Sequence, residues 1–487
     1  MLLHHLLTDA VERAAETPAV ITESGSVTFA ELLANVERRA AQIASLTARG
    51  DRVAVLAENC IEYVELYYAV PLAGRVLVPL NHRLLPEEWR TTLKHSGATA
   101  LFGERTLLER CAAPLEHIIP FTTPEPAPVI ASRPVSSPDD IAWLIGTSGT
   151  TGSPKLAMLS HADLLAAVDA TLPARPVGPD DTLLTPFPLC HVAGYNVFVL
   201  HRRARPIALQ RSFDPVGLAH MVRDHRVTML SLAPTMIAML LDHPDVQDED
   251  LATVRALGYG ASPIPGPILR RVIERWNWDC SQGFGMTELA GNALFLGPED
   301  HRAAAAGDPR LLSAAGRPSS RVEVRLDADD ELLVRAPQVM RGYWNDPDAT
   351  AAALTDGWLH TGDVARIDDD GLVSIVDRKK DVIVSGGENV ASREVEEVLH
   401  AHPAVRDVAV IGLPDERWGE RVCAVVVTSE PIEADVLIAH CRERLAGFKT
   451  PRRVEFADTL PRNAGGKVLK HVLRSRFGGT NGPDDAG

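Results

Sequence analysis

No two cysteines in this chain stand at the C-x-x-C spacing that metal sites and redox pairs use. The six that occur, Cys60, Cys111, Cys190, Cys280, Cys423 and Cys441, are scattered and read as reduced thiols of a cytosolic protein. Cys190, beside His191, is the one candidate nucleophile, and an inert thiol is the commoner case. Apolar runs are short. None reaches the ~18 uncharged residues of a membrane span, and the start Met-Leu-Leu-His-His lacks the basic opening of a secretory signal. Basic side chains are outnumbered, 49 Lys and Arg against 65 Asp and Glu in 487 residues, a net charge of −16. A general nucleic-acid binder needs a basic footprint, so nucleic acid is excluded as a partner; a small nucleotide held by local donors is not. The expected location is cytoplasmic.

What is present suits a large folded enzyme. Hydrophobic residues make up 45% and charged residues 23%, enough core for two or three domains at this length. Short β-branched runs (52–57, 76–80, 98–102, 141–145) alternate with amphipathic stretches such as 29–44, a pattern of parallel sheets covered by helices. Seven prolines between Pro114 and Pro138 predict an exposed connector. A strand at 372–376 leads into Asp377-Arg378-Lys379-Lys380-Asp381, a strip that reads as too polar for core. Beyond it stand strands at 408–411 and 422–427 and helices at 433–446 and 467–477. The expected division is a domain of residues 1–377, a small domain of 378–477 and a disordered tail of 478–487. No internal repeat is found.

The densest chemical signal is Gly146-Thr147-Ser148-Gly149-Thr150-Thr151-Gly152-Ser153-Pro154-Lys155. Its glycines admit a ligand close to backbone, its hydroxyls and N–H groups can surround phosphate oxygens, and Lys155 adds a point charge. It is not a Walker A loop, because Pro154 precedes Lys155 and Leu156 follows it. The loop resembles the signature of the adenylate-forming superfamily, which includes acyl-CoA synthetases, peptide-synthetase adenylation domains and firefly luciferase. Further motifs of that family follow in order from about Thr28 to Arg474.

The resemblance implies an α/β fold: a large N-terminal domain of parallel and mixed sheets covered by helices, plus a small mobile α+β C-terminal domain. It also implies roles. Gly258-Tyr259-Gly260-Ala261-Ser262-Pro263 resembles the adenine-side loop. Gly283-Phe284-Gly285-Met286-Thr287-Glu288 resembles the segment whose aromatic stacks on adenine, whose threonine meets the α-phosphate and whose glutamate holds magnesium, with Thr150 as a second metal-side oxygen. Phe284 stands where tyrosine is usual. Gly357-Trp358-Leu359-His360-Thr361-Gly362-Asp363 places Asp363 on the ribose hydroxyls, with Arg378 beside it and Lys380 at the hinge position. Ser385-Gly386-Gly387-Glu388-Asn389 matches the pantetheine-tunnel loop, and Pro461-Arg462-Asn463-Ala464-Gly465-Gly466-Lys467 makes Lys467 the catalytic lysine. Ser392 and Leu156 depart from a common proline and a usual glycine.

Phe187-Pro188-Leu189-Cys190-His191-Val192-Ala193-Gly194-Tyr195 is similar to the acyl-pocket region, with His191 as a wall residue or a buried, satisfied histidine. No aspartate occurs between 187 and 200, which disfavours an amino acid. The segment 289–295 reads as small and apolar, and no arginine stands near Phe284 in the sequence, which disfavours malonate. The implied activity uses ATP, Mg2+ and coenzyme A to turn a hydrophobic acid (a medium or long fatty acid, or an aryl or alicyclic acid) into its acyl-adenylate and then its CoA thioester. Bacterial fatty-acid and aryl or alicyclic carboxylate CoA ligases are the nearest match. An acyl carrier protein as acceptor, a non-catalytic acyl- or nucleotide-binding role, a luciferase-like oxygenase and a homo-oligomer stay open. His201-Arg202-Arg203-Ala204-Arg205 reads as a solvated turn or as a docking patch for CoA, a carrier protein or a membrane.

Overall fold

The computed structural model describes residues 1–121, 137–147, 155–260, 264–312, 314–385, 388–415, 417–462 and 468–478. The connector prolines between 122 and 136 and the tail beyond 478 lie outside them. Chain contacts define two compact units: a large one of Met1–Val324, Val334–His360 and Asp368–Val373, and a small one of Arg325–Leu333, Thr361–Ile367 and Ser374–Gly487.

The large unit holds two sheets. In the six-stranded one, His117–Pro120, Ala98–Gly103, Arg52–Leu56, Val76–Leu80 and Ile141–Gly146 run parallel in that spatial order, and Leu156–Ser160 closes the edge antiparallel to its neighbour. The near-continuous burial of Arg52–Leu56 and Val76–Leu80 explains their unbroken apolar runs, since both faces are covered. In the second sheet, Ala314–Pro318, Gly291–Leu296, Asp279–Met286, Ala256–Gly260, Met229–Leu232, Leu183–Thr185, Ile207–Leu209, Pro18–Thr22 and Gly25–Thr28 succeed one another.

The covering helix Phe29–Leu46 begins where sequence chemistry places it. The Thr28 hydroxyl accepts from Glu31 N, and the Glu31 carboxylate accepts from Thr28 N, a reciprocal cap worth about 1 kcal/mol. Its buried stripe, Phe29, Leu32, Val36, Arg39, Ala40 and Ile43, keeps helical spacing. Arg39 sits in that stripe because Glu65 of the helix Ile61–Leu72 meets it at 2.9 Å, and Asn35 donates to the same carboxylate.

In the small unit, Val405–Asp415 and Gly419–Thr428 form a long antiparallel pair, with Arg453–Phe456 parallel on the far side of Gly419–Thr428. Successive residues alternate faces. Val408, Val410, Val422, Ala424 and Val426 pack with Val395, Leu399 and Leu437. Ala409, Ile411, Leu413, Cys423, Val425 and Val427 pack with Leu473 and Phe477. The helices here are shorter than the sequence pattern suggests, Ala434–Arg442 and Lys470–Phe477.

Two expectations from composition are corrected. In the strip 377–381, Asp377 and Asp381 are buried, because each carboxylate has fixed donors: Ser392 N and Oγ, both at 2.6 Å, for Asp377, and Arg474 at 3.0 Å for Asp381. The basic run 201–205 is not a solvated turn. His201 is fully buried between the Tyr68 hydroxyl (2.7 Å) and the Ala19 carbonyl (3.1 Å), Arg205 donates to the Asp181 carbonyl, and only Arg203 is exposed.

Candidate active site

The phosphate-type loop hangs from the hairpin of Ile141–Gly146 and Leu156–Ser160. Gly146 pairs with Leu156, and Thr147 N donates to the Lys155 carbonyl at 2.9 Å, closing the neck. Ser148, Gly149, Thr150, Thr151 and Gly152 lie outside the described residues. Leu156 is buried core rather than loop, and its carbonyl accepts from Trp344 N at 2.8 Å.

At this neck the fold brings together residues that are far apart in sequence. The Lys155 ammonium lies 5.1 Å from the centre of the Tyr343 ring. The Tyr343 hydroxyl donates to Glu288 Oε1 at 2.8 Å, and Met340 N donates to the Glu288 carbonyl at 2.8 Å. Burial, and then the Glu288 charge, hold the Tyr343 phenol well above its ordinary range, so it stays a donor. Glu288 is buried, one of its oxygens is oriented by a neutral hydroxyl, and no cation pairs with it among the described residues. That is the chemistry a hard divalent ion takes from a carboxylate.

Glu288 reaches this point through the strand Asp279–Met286, which runs parallel to Ala256–Gly260 and antiparallel to Gly291–Leu296. A register shift between Phe284 and Gly285 marks its end, and the short turn Thr287–Leu289 follows. Phe284, Met286 and Thr287 are half-buried and Gly285 is exposed. Gly260 pairs with Gly283, and a Cβ on Gly285 would stand 2.0 Å from the Gly291 carbonyl oxygen, so only glycine fits at 285. Ala261 and Ser262 lie outside the described residues.

The segment Phe187–Tyr195 is clamped by Asn59. Its amide donates to the Phe187 and Gln210 carbonyls, both at 3.0 Å, and its oxygen accepts from Leu189 N at 2.9 Å. His191 is buried at Nε2, which has no partner among the described residues. Burial, with Arg83 and His82 nearby, lowers its pKa to about 4, leaving a neutral imidazole. It is therefore a half-buried histidine whose buried Nε2 is left unsatisfied. The Cys190 thiol is pushed up to about 12 by burial, which removes it as a nucleophile at neutral pH. The stretch 289–295 is not uniformly apolar toward this segment. Leu289, Ala290, Ala293 and Leu294 are core, whereas Asn292 donates to the Tyr195 hydroxyl at 3.1 Å.

In the small unit, Arg378 Nε lies 2.8 Å from Asp363 Oδ1. Thr361 Oγ1 accepts from Asp363 N, and Glu331 accepts from Gly362 N at 2.8 Å. Lys379 is taken up by Asp329 at 3.0 Å and Glu331 at 3.2 Å. Lys380 is exposed, with no side-chain partner among the described residues. Gly386, Gly387 and Lys467 lie outside them. Ser392 gives Asp377 both its N–H and its hydroxyl, and that hydroxyl accepts from Lys470 at 2.5 Å.

Sequence reasoning missed Tyr343, Asn59 and the Asp377–Ser392–Lys470 chain. Tyr343 sits in an ordinary Arg-Gly-Tyr-Trp run, 55 positions from the carboxylate it orients, and no local pattern marks it.

A glycine-rich phosphate-loop neck, an oriented carboxylate at the end of a parallel-sheet strand and a second, smaller unit define an adenylate-forming enzyme. The chain belongs to the AMP-binding enzyme family, whose model matches residues 7–344, and the model of that family's C-terminal domain matches residues 394–467. It is 38% identical to a feruloyl-CoA synthase of Amycolatopsis sp over 96% of this chain and 98% of that protein. A propanoyl:CoA ligase of Mycobacterium tuberculosis, whose acyl group carries a methyl-dioxo-octahydroindenyl ring system, is 35% identical over 95% and 96%. The o-succinylbenzoate CoA synthetase of Bacillus subtilis superposes in complex with its acyl-adenylate at a TM-score of 0.88, with 31% identity over 96% and 97% of the two chains. Its complex with ATP and magnesium gives the same TM-score and identity over 97% and 98%. The activity is that of an AMP-forming acid–thiol ligase acting on acyl or aryl groups, with ATP, magnesium and coenzyme A. No described helix is long and apolar enough to cross a membrane.

Proposed function

We propose that this ligase activates an aryl or alicyclic carboxylic acid, with fatty acids as the second choice, and transfers the acyl group to coenzyme A in the cytoplasm. The observation that carries the reading is the Lys155–Tyr343–Glu288 arrangement, a cation and an oriented carboxylate on one tyrosine at the neck of the hairpin. The relatives named above all carry ring-bearing acyl groups, which supports the choice of acid. Six unpaired cysteines support a reducing compartment.

The roles follow from the residues. Glu288, with Thr150, holds magnesium, which neutralises phosphate charge when bound. Thr147 to Gly152 and Lys155 receive the phosphates; Gly260, Ala261, Ser262, Gly283, Phe284, Gly285 and Met286 receive the adenine side. Thr287 meets the α-phosphate. Asp363 and Arg378 bind the ribose, their ion pair opening to accept its hydroxyls. His191 lines the acyl side as a neutral imidazole. Lys467 supplies the ammonium that offsets charge where carboxylate meets phosphorus. Residues 378–477 turn about Lys380 between the half-reactions, and Gly386 and Gly387 line the path of the pantetheine arm.

The test is pyrophosphate release from ATP with a panel of carboxylates, with and without CoA and with a holo carrier protein in place of CoA. Ring-bearing acids should give release without acceptor and thioester only with CoA. Thioester formed only on the carrier protein would overturn the acceptor, and release confined to fatty acids would overturn the choice of acid.

A further inference from the structure

The tip of the hairpin between Asp279–Met286 and Gly291–Leu296 carries the residues assigned to magnesium and the α-phosphate. Met286 pairs with Gly291, so the tip runs from Thr287 to Ala290. Thr287–Leu289 is a short turn, and Ala290 N donates back to the Thr287 carbonyl at 3.0 Å. Ala290 has φ +52°, a left-handed conformation that alanine adopts only against a steric penalty. It is fully buried, and a Cβ on the following Gly291 would stand 2.9 Å from Cζ of the Tyr195 ring. A residue held in such a conformation keeps it only where its surroundings fix it.

A side chain from a later part of the chain does the fixing. Gln338 is buried, and its Nε2 donates to the Leu289 carbonyl at 2.8 Å and to the Asn292 carbonyl at 2.9 Å. These two carbonyls bracket Ala290 and Gly291. Both partners accept, so the nitrogen end of the amide must face them, and both of its hydrogens are used. Glutamine is rarely core on its own account; here its donor pair explains its burial. Two positions on, Met340 N donates to the Glu288 carbonyl, and the Tyr343 hydroxyl donates to Glu288 Oε1, each at 2.8 Å. The same run is fastened on its other side to the strand Leu156–Ser160. Arg341 N donates to the Met158 carbonyl and Met158 N donates to the Gly342 carbonyl, both at 2.9 Å. Residues 338–343 therefore brace the neck of the glycine-rich loop against the tip that holds Glu288, and Gln338 is the end of the brace that grips the tip.

We propose that Gln338 is a positioning residue for adenylation: by pinning the carbonyls on either side of Ala290 and Gly291, it holds the Thr287–Glu288 turn where Glu288 can take magnesium together with ATP. The claim rests on the reading of Glu288 as a magnesium ligand and adds a residue that acts through the backbone of the turn.

The experiment measures the affinity of the full-length chain for ATP by calorimetry, without any acid, once with excess magnesium and once with EDTA. The wild type should bind ATP more tightly with magnesium. Gln338→Met keeps the length of the side chain and removes both donors. It should lose most of the magnesium-dependent gain, roughly tenfold or more in affinity, as happens when a group that orients a metal ligand is removed. Gln338→Asn, one methylene shorter, should lose part of it. A residue that only fills core changes the fraction of protein that binds, and so the stoichiometry, and leaves the ratio of the two affinities where it was. A wild-type ratio in Gln338→Met therefore overturns the positioning role while Glu288 keeps its magnesium. Should Gln338→Met yield no folded protein, Gln338→Asn decides by the same ratio; failure of both to fold makes Gln338 a residue of the core and overturns the role. No gain from magnesium in the wild type overturns the magnesium reading of Glu288, and the role of Gln338 with it.

Discussion

The Tyr343 hydroxyl donates to Glu288 Oε1 at 2.8 Å while the ring beneath it faces the Lys155 ammonium. One side chain thus orients the carboxylate and receives the cation. Tyr343→Phe keeps the ring and removes only the hydroxyl. The expected result is a loss of roughly 2 kcal/mol, about thirtyfold, in kcat/KM for MgATP, because a hydrogen bond to a charged group is lost. Titrating magnesium at fixed ATP should show a higher requirement in the variant. An unchanged magnesium profile would remove Tyr343 from the site.

The N–H and Oγ of Ser392 are both spent on Asp377 at 2.6 Å. Proline supplies neither donor. Ser392→Pro should therefore destabilise the small unit by about 2–4 kcal/mol, and Ser392→Ala, which keeps the N–H, by about 1 kcal/mol. Urea unfolding followed by small-unit signals checks the order of the two variants.

Much of the fold is legible in the sequence because the strands of the large unit are buried on both faces and read as apolar runs. Val76–Leu80 matches the expectation residue for residue. The chemical motifs are legible because glycines cluster where side chains do not fit, as at Gly285. Illegible were the long-range partners. Composition makes Asp377 and Asp381 look like solvent-facing charges, and only Ser392 and Arg474, brought in from distant parts of the chain, make their burial tolerable.

Histidines set the response to acid. His161, His201 and His301 are fully buried, and burial lowers each pKa from 6.5 to about 4. The unfolded chain binds a proton on each below about pH 6.5, whereas the folded chain refuses it until about pH 4. Stability is therefore present at neutral pH and is lost as pH falls through that window. The loss between pH 7 and pH 5 should be about 2 kcal/mol per histidine. His201→Gln can still accept from Tyr68 and donate to Ala19, so it should narrow the pH 7 to pH 5 stability gap by about that amount. Denaturant titrations at the two pH values read it directly.

Two lysines three positions apart should fail in different ways. Lys470 is held by Glu396 at 2.8 Å and by Ser392 Oγ at 2.5 Å. Burial pushes the Glu396 carboxyl up, and Lys470 opposes that shift. Removing the ammonium leaves an uncompensated carboxylate, so Lys470→Ala should cost about 2–4 kcal/mol of stability and lower both half-reactions together as folded enzyme is lost. Lys467, if it acts on charge at the reacting carboxylate, contributes only to the first step. Lys467→Ala should lower acyl-adenylate formation roughly 10²–10³-fold, or ~2.7–4 kcal/mol, with thioester formation from supplied acyl-adenylate nearly unchanged and the unfolding midpoint unmoved. Measuring both half-reactions and the melting temperature for each variant separates the roles. An equal loss in both half-reactions for Lys467→Ala at unchanged stability would contradict the assignment, because a charge that serves only the attack on phosphorus has no place in the attack of sulfur on the acyl carbon.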